Sequence, residues 1–178
     1  MLGALHLPGW SSYLHPVGPH LVLGLGQTMP GEVMIGPAMP SEPSGTTTTP
    51  TPVPLEVPPE AVSRAKATLF DISDPTHPSE VGTVAYPAGS VPLAATQPHQ
   101  VTWLPESRTL LTVIGSASGV ATDDGTRTWL SILTVGDGGL VSRLLRVTTD
   151  RPDQVRTVPT ADGRVVLVAG DSVEFVNV

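Results

Sequence analysis

Five histidines, His6, His15, His20, His77 and His99, are the side chains best suited to metal binding or proton transfer near neutral pH. None stands in a His-x-x-x-His or His-Glu-x-x-His spacing, so no zinc motif is present. His15 and His20 flank an expected hairpin turn and read as a solvent-exposed pair. His99 precedes an expected inner strand, where a side chain can face a central channel. It is the single ligand-binding candidate, weighed against the commoner role of bonding to nearby backbone. Asp123-Asp124-Gly125 lacks the alternating oxygen ligands and distal Glu of a calcium loop and reads as a plain hairpin turn. Gly115-Ser116-Ala117-Ser118-Gly119 lacks the Gly two places before Ser118, and no helix follows, so it is no nucleophile elbow. Gly24-Leu25-Gly26 lies in a strand-like run without the third Gly or ensuing helix of a dinucleotide site. Trp10, Trp103 and Trp129 read as packing residues rather than a carbohydrate platform. No catalytic, metal or cofactor-binding residue is assigned, and no cofactor is expected.

Composition narrows the classes further. Charged residues make up 14% of the 178, well below the roughly 25% of ordinary globular domains. Eighteen glycines and 20 prolines leave little room for long helices. A net charge of −7 argues against a duplex nucleic-acid binder, which needs a basic stripe to displace counterions. Cysteine is absent, so neither a disulfide framework nor a thiolate metal site is expected. No run of about 18 apolar residues predicts a transmembrane helix. The first basic residue is Arg64, which leaves no positive n-region and hence no expected secretory signal on this chain. A signal upstream in a longer parent chain is compatible with that reading.

The elements that must position any site repeat. A strand-like run, a Pro-containing turn and an apolar run ending in Gly occur three times. They are Tyr13–Pro16 into Leu21–Gly26, Val101–Pro105 into Leu110–Gly115, and Thr157–Pro159 into Val165–Gly170. Tyr13–His15, Leu21–Leu25, Ala67–Asp71 and Val81–Ala85 predict one four-stranded antiparallel meander. Val101–Leu104, Leu110–Ile114, Trp129–Val135 and Leu140–Val147 predict a second, its last hairpin turning at Asp137-Gly138-Gly139. Thr157-Val158, Val165–Ala169 and Val173–Val176 give three strands of a third unit, and Ala4–Leu7 reads as the last strand of a preceding one. Serial four-stranded units of this kind predict an all-β, β-propeller-like array over residues 1–178 as one partial domain. Propellers close with roughly 4 to 8 blades. About three units therefore predict the C-terminal part of a larger propeller, or an open stack, that is, an incomplete, open propeller with exposed edges rather than a closed ring. Residues 28–60 are dense in Pro and Thr and predict a long disordered insertion within the first blade, of a composition similar to glycosylated extracellular stalks.

At Ala67–Val84 the chain reads Ala-Thr-Leu-Phe-Asp-Ile-Ser-Asp-Pro-Thr-His-Pro-Ser-Glu-Val-Gly-Thr-Val. This resembles the β-propeller-domain family of secreted bacterial proteins and is similar in wording to LVIVD-type propeller repeats. Ser11–Gly18, Leu23–Gln27 and His99 before Trp103-Leu104-Pro105 carry the same resemblance. It implies secretion or attachment at the cell envelope and a binding or scaffolding role, and brings no catalytic residues with it. The Asp-Pro phrase has a structural explanation as well: Asp71 and Asp74 accept local backbone N–H groups, and Pro75 and Pro78 shape the turn.

The resulting expectation is a non-catalytic binding or scaffolding module with a protein or glycan partner, no nucleic-acid partner and no membrane span. Self-association through sheet edges, or pairing with further N-terminal blades, is a second partner expectation. The alternatives are a polysaccharide- or ester-directed hydrolase or lyase working in the propeller channel, and a truncated fragment without independent function. Two carboxylates converging on one pocket would favour the hydrolase.

Overall fold

The computed structural model describes residues 3–7, 9–29, 62–117, 127–136 and 139–178. Twelve strands form three antiparallel sheets among these residues, joined by turns and short 3-10 segments. Sheet 1 runs in chain order β1 (Trp10–Pro16), β2 (Leu21–Gln27), β3 (Arg64–Asp71), β4 (Ser79–Ala88). Sheet 2 comprises β5 (Ser90–Pro92), β6 (Val101–Leu104), β7 (Thr109–Ser116), β8 (Thr128–Gly136) and β9 (Gly139–Arg146). Sheet 3 is β10 (Arg156–Pro159), β11 (Val165–Ala169) and β12 (Ser172–Val176). The three recurrent phrases are therefore the opening hairpins β1–β2, β6–β7 and β10–β11.

Sheet 2 departs from the expected four strands. Both β5 and β6 pair with the same edge of β7, with Pro92 opposite Ile114 and Val101 opposite Thr112. Residues 93–100 loop out between them in two 3-10 turns. The loop is held by packing: Ala94 is buried in the core, and Leu93 lies close over Gly115, its nearest methyl 3.1 Å from where a Cβ would stand. Ala4–Leu7 also departs from expectation, because it is not a strand. It lies across the outer face of sheet 1, where Leu5 and Leu7 line a groove with Leu14, Val22, Phe70 and Ile72. Apolar contact with that face takes the place of ladder pairing.

Strand alternation decides which sheet touches which, because successive side chains point to opposite faces. Leu23, Leu25, Ala67 and Leu69 of sheet 1 share a core with Leu110, Ile114, Trp129 and Leu133 of sheet 2. The intervening residues Leu111, Val113, Leu130 and Ile132 form the opposite face of sheet 2, which packs on Val165, Leu167 and Ala169 of sheet 3. The sheets thus stack face to face, with sheet 2 in the middle. Each contributes one layer to each junction it makes.

Residues 30–61, which hold most of the expected insertion, lie outside the described residues, as do Asp123-Asp124-Gly125 and the Asp137-Gly138 turn. The feet of the insertion are clasped. Gln27 pairs with Ala65, and Thr28 exchanges bonds with Ser63 and Arg64: its N–H donates to the Arg64 carbonyl at 3.0 Å, and its carbonyl accepts the Ser63 hydroxyl at 2.7 Å. The segment therefore connects two neighbouring strands of one sheet.

A candidate binding surface along the first strands

The opening strands β1, β6 and β10 lie in a row, each at the edge of its sheet, and side chains join neighbours along it. From β1, Tyr13 and His15 point toward sheet 2, two residues apart on one face of the strand. Their rings stack at 6.3 Å with planes 9° apart, and the Tyr13 hydroxyl sits 3.3 Å from His15 Nδ1. On β6, Trp103 closes on His15 at 6.1 Å with a tilt of 54°. All three rings are half-buried. Partial burial lowers the His15 pKa, because desolvation disfavours the charged imidazolium. The imidazole is therefore neutral at pH 7 and available both to donate and to accept.

The next junction in the row is made of hydroxyls. Thr102, on the opposite side of β6 from Trp103, donates to the Thr157 carbonyl at 3.1 Å and accepts the Thr157 hydroxyl at 2.8 Å. Gln100, just before β6, donates its amide to the carbonyls of Pro152 and Val155 at 2.6 and 3.2 Å. One short strand therefore presents an indole to sheet 1 and hydroxyl and amide groups to sheet 3.

The histidines separate. His99 sits in the loop that interrupts the first strand of sheet 2, exposed, with Nε2 at 3.1 Å from Gln97 Oε1. His15 belongs to the ring cluster, whereas the carbonyl of His20 accepts the Ile72 N–H at 2.8 Å from the far side of the turn. His77 lies 3.1 Å from Asp74 Oδ2 in an exposed turn, and His6 is exposed. Among the described residues, no three His, Asp or Glu side chains come together as a group that could hold a metal ion.

The Asp-Pro phrase folds as its residues dictate. Asp71 Oδ1 accepts the Ser73 N–H at 2.7 Å, and Asp74 Oδ1 accepts the Thr76 N–H at 2.8 Å and its hydroxyl at 2.5 Å. These bonds hold both carboxyls below the usual range: for Asp71 the Ser73 backbone leads, and for Asp74 the Thr76 hydroxyl. Asp162 is lowered chiefly by Arg164, whose Nη2 and Nε lie 2.6 and 2.7 Å from Oδ2. Gly163 follows at φ +81°, the left-handed conformation that suits glycine in this turn.

The two glycines of Gly24-Leu25-Gly26 also have a packing role. A β-bulge in β1 at Ser11–Tyr13 presses the Trp10 carbonyl and Ser11 Cα onto Gly26. The Phe70 ring and Ser11 hydroxyl lie over Gly24, at 2.9 and 2.7 Å from where a Cβ would stand. Of the tryptophans, Trp129 is buried in the core and Trp103 packs against it, but Trp10 is exposed and does not pack as expected.

Three stacked antiparallel sheets, each opened by the same hairpin with the opening strands aligned, match the expected blade arrangement. The family described as Beta propeller domain matches residues 1–164, from before β1 through β10. The chain belongs to the Beta propeller domain family. Comparisons with curated proteins and with solved structures give no match. The sheets are accordingly blades, and blades 1 to 3 form an open array among the described residues. No helix among those residues is long and apolar enough to cross a membrane. The ring cluster was missed in the sequence because His15 was weighed against His20 by proximity along the chain. The signal that finds it is Tyr13-x-His15 on an opening strand, together with Trp103 on the next opening strand, at the position that aligns with Leu14 and so faces back toward sheet 1.

Proposed function

We propose that this propeller array is a non-catalytic binding module that takes its partner along the row of opening strands, at the secreted or cell-envelope location its family resemblance implies. One observation carries the reading: Tyr13, His15 and Trp103 meet as half-buried rings at the junction of two blades. Aromatic side chains with one apolar and one wet end are suited to interfaces, and their faces suit the C–H face of a sugar ring. The neutral imidazole and the phenol add polar groups that fix orientation. A wall glycan is therefore the favoured partner class.

A glycoside hydrolase would need two carboxyls opposed across a cleft. Asp71, Asp74 and Asp162 are instead held by donors within their own exposed turns, which supports binding over hydrolysis. The test is a glycan panel and a cell-wall pull-down with the wild-type chain beside Trp103→Ala and His15→Ala. Retention of the wild type with about tenfold weaker binding by both variants is expected. Equal retention of all three, or release of a cleaved product, would overturn the reading.

A further inference from the structure

The turn between β3 and β4 brings a nucleophile, an acid and a hydrogen-bond donor to one peptide bond. The chain holds a single Asp-Pro bond, Asp74-Pro75, and that turn is built on it. Asp74 Oδ1 accepts the N–H and the hydroxyl of Thr76, two residues ahead, so the carboxylate is folded forward across the bond to Pro75. Oδ2 is left to His77, whose Nδ1 lies 3.1 Å away. The backbone carbonyl of Asp74 accepts the His77 N–H at 3.1 Å, so a donor already points at the oxygen that gains charge when this carbonyl is attacked. The Pro75 nitrogen belongs to a tertiary amide, and as a leaving group it becomes a secondary amine. The Thr76 hydroxyl and N–H hold the Asp74 carboxyl below the usual range, so it stays ionised in mildly acid solution, where imidazole takes up a proton. The turn is braced from both sides. The Ile72 N–H donates to the His20 carbonyl at 2.8 Å, and Gly3 lies so close that a Cβ there would stand 2.5 Å from the Thr76 carbonyl oxygen. Water nonetheless reaches the site, because the His77 and Asp74 side chains are 85% and 56% exposed.

We propose that this turn cleaves its own Asp74-Pro75 bond, one hydrolytic step per chain, separate from the binding row of opening strands. Asp74 Oδ2 attacks the Asp74 carbonyl carbon and closes a five-membered ring, while the carbonyl π electrons move onto the oxygen held by the His77 N–H. Collapse of that oxyanion breaks the bond to Pro75. The nitrogen leaves with the bonding pair and takes the proton of the His77 imidazolium. Asp74 is then a cyclic anhydride, and Pro75 is a new N-terminus. Water adds to the former backbone carbonyl carbon and passes one proton to the neutral imidazole. The ring opens to the side-chain carboxylate and a new C-terminal carboxyl. One water is consumed and one peptide bond is lost. The two pieces stay joined in the native fold, because the β3–β4 ladder, ending at Asp71 opposite Ser79, spans the cut.

The experiment is intact-mass spectrometry of the full chain, incubated with protease inhibitors at pH 5, on the acid side of the ordinary histidine range, and quenched in denaturant. Fragments 1–74 and 75–178 are expected, their masses summing to the intact chain plus one water, at a rate independent of protein concentration. Unfolding the same chain in urea should slow the cut about tenfold or more, because the turn no longer holds the groups together. Asp74→Asn, which keeps an acceptor for Thr76, should stay intact. His77→Gln should slow cleavage about a hundredfold, as loss of a general acid does. Far-UV circular dichroism checks the fold of each variant, and the urea comparison on wild type decides the matter if a variant loses its strand signal. A wild-type chain that stays intact, equal rates folded and unfolded, or undiminished cleavage at this bond in either folded variant would overturn the proposal.

Discussion

Blades 2 and 3 open on the same kind of hairpin, yet their second strands live in different surroundings. Every residue of β7 from Thr109 to Gly115 is buried, whereas β11 alternates between buried and half-exposed positions. The residue types do not account for this. β7 includes two threonines and a glycine, while β11 is wholly aliphatic or alanine. Position in the stack does, because among the described residues blade 2 has a neighbour on each face and blade 3 has one. Burial here is a property of the array, and a single blade could not hide its second face alone.

The largest expected effect tests that asymmetry directly. Leu130 faces blade 3 from the middle of blade 2 and is fully buried, so Leu130→Ala removes packed methyl groups and leaves a cavity. Such changes cost about 2–5 kcal/mol. Val173→Ala, on the open face of blade 3, should stay within about 0.5 kcal/mol in dilute solution. Urea denaturation of both variants gives the comparison. Equal losses would mean that the stack does not set burial.

A second, smaller effect separates the two junctions by their chemistry. At the junction of blades 1 and 2, the buried Tyr86 hydroxyl lies 2.8 Å from Ser131 Oγ, which in turn lies 3.3 Å from Ser142 Oγ. Burial pushes the Tyr86 pKa up to about 12, so the phenol stays neutral and its hydroxyl bonded. Tyr86→Phe keeps the ring and deletes one buried hydrogen bond, and should cost about 1 kcal/mol. Ser142→Ala, further along the same chain of hydroxyls, should cost less because Ser131 keeps Tyr86. Thermal melts of the two variants rank them. A costlier Ser142→Ala would place the main bond elsewhere.

The strands were legible in the sequence wherever an apolar run was bounded by turn residues. Leu21–Leu25 and Trp129–Val135 fall inside β2 and β8 for that reason. The short strand β5 was not legible, since Ser90-Val91-Pro92 has no alternation of its own. Its place is set by Ile114 and Gly115 far along the chain. Ala4–Leu7 misled because alternation of apolar residues describes a surface that must be covered, and coverage by another face satisfies it as well as a ladder does. The turn chemistry of Asp71 and Asp74 was readable because an Asp bonds two residues ahead of itself. The ring cluster was not, because Trp103 reaches His15 across two blades, and a contact between separate units leaves no local spacing to read.

The smallest effect distinguishes the junctions by pH. The junction of blades 1 and 2 includes His15, and the first-strand contact between blades 2 and 3 is the non-titrating pair Thr102–Thr157. The folded pKa of His15 lies below the ordinary value near 6.5. Above that value the imidazole is neutral in folded and unfolded chains alike, and it contributes nothing to the pH dependence. As pH falls below it, the unfolded chain takes up the proton first, and the fold loses stability until pH passes the folded pKa. Asp71, Asp74 and Asp162, lowered from the carboxylate range, act only at more acid pH, so the two windows separate. Between pH 7 and 5 the wild-type melting temperature should therefore fall, and His15→Gln should flatten that slope while leaving the drop below pH 4 in place. A slope unchanged in His15→Gln would mean that the ring cluster does not desolvate its imidazole, and the two junctions would then differ in packing alone.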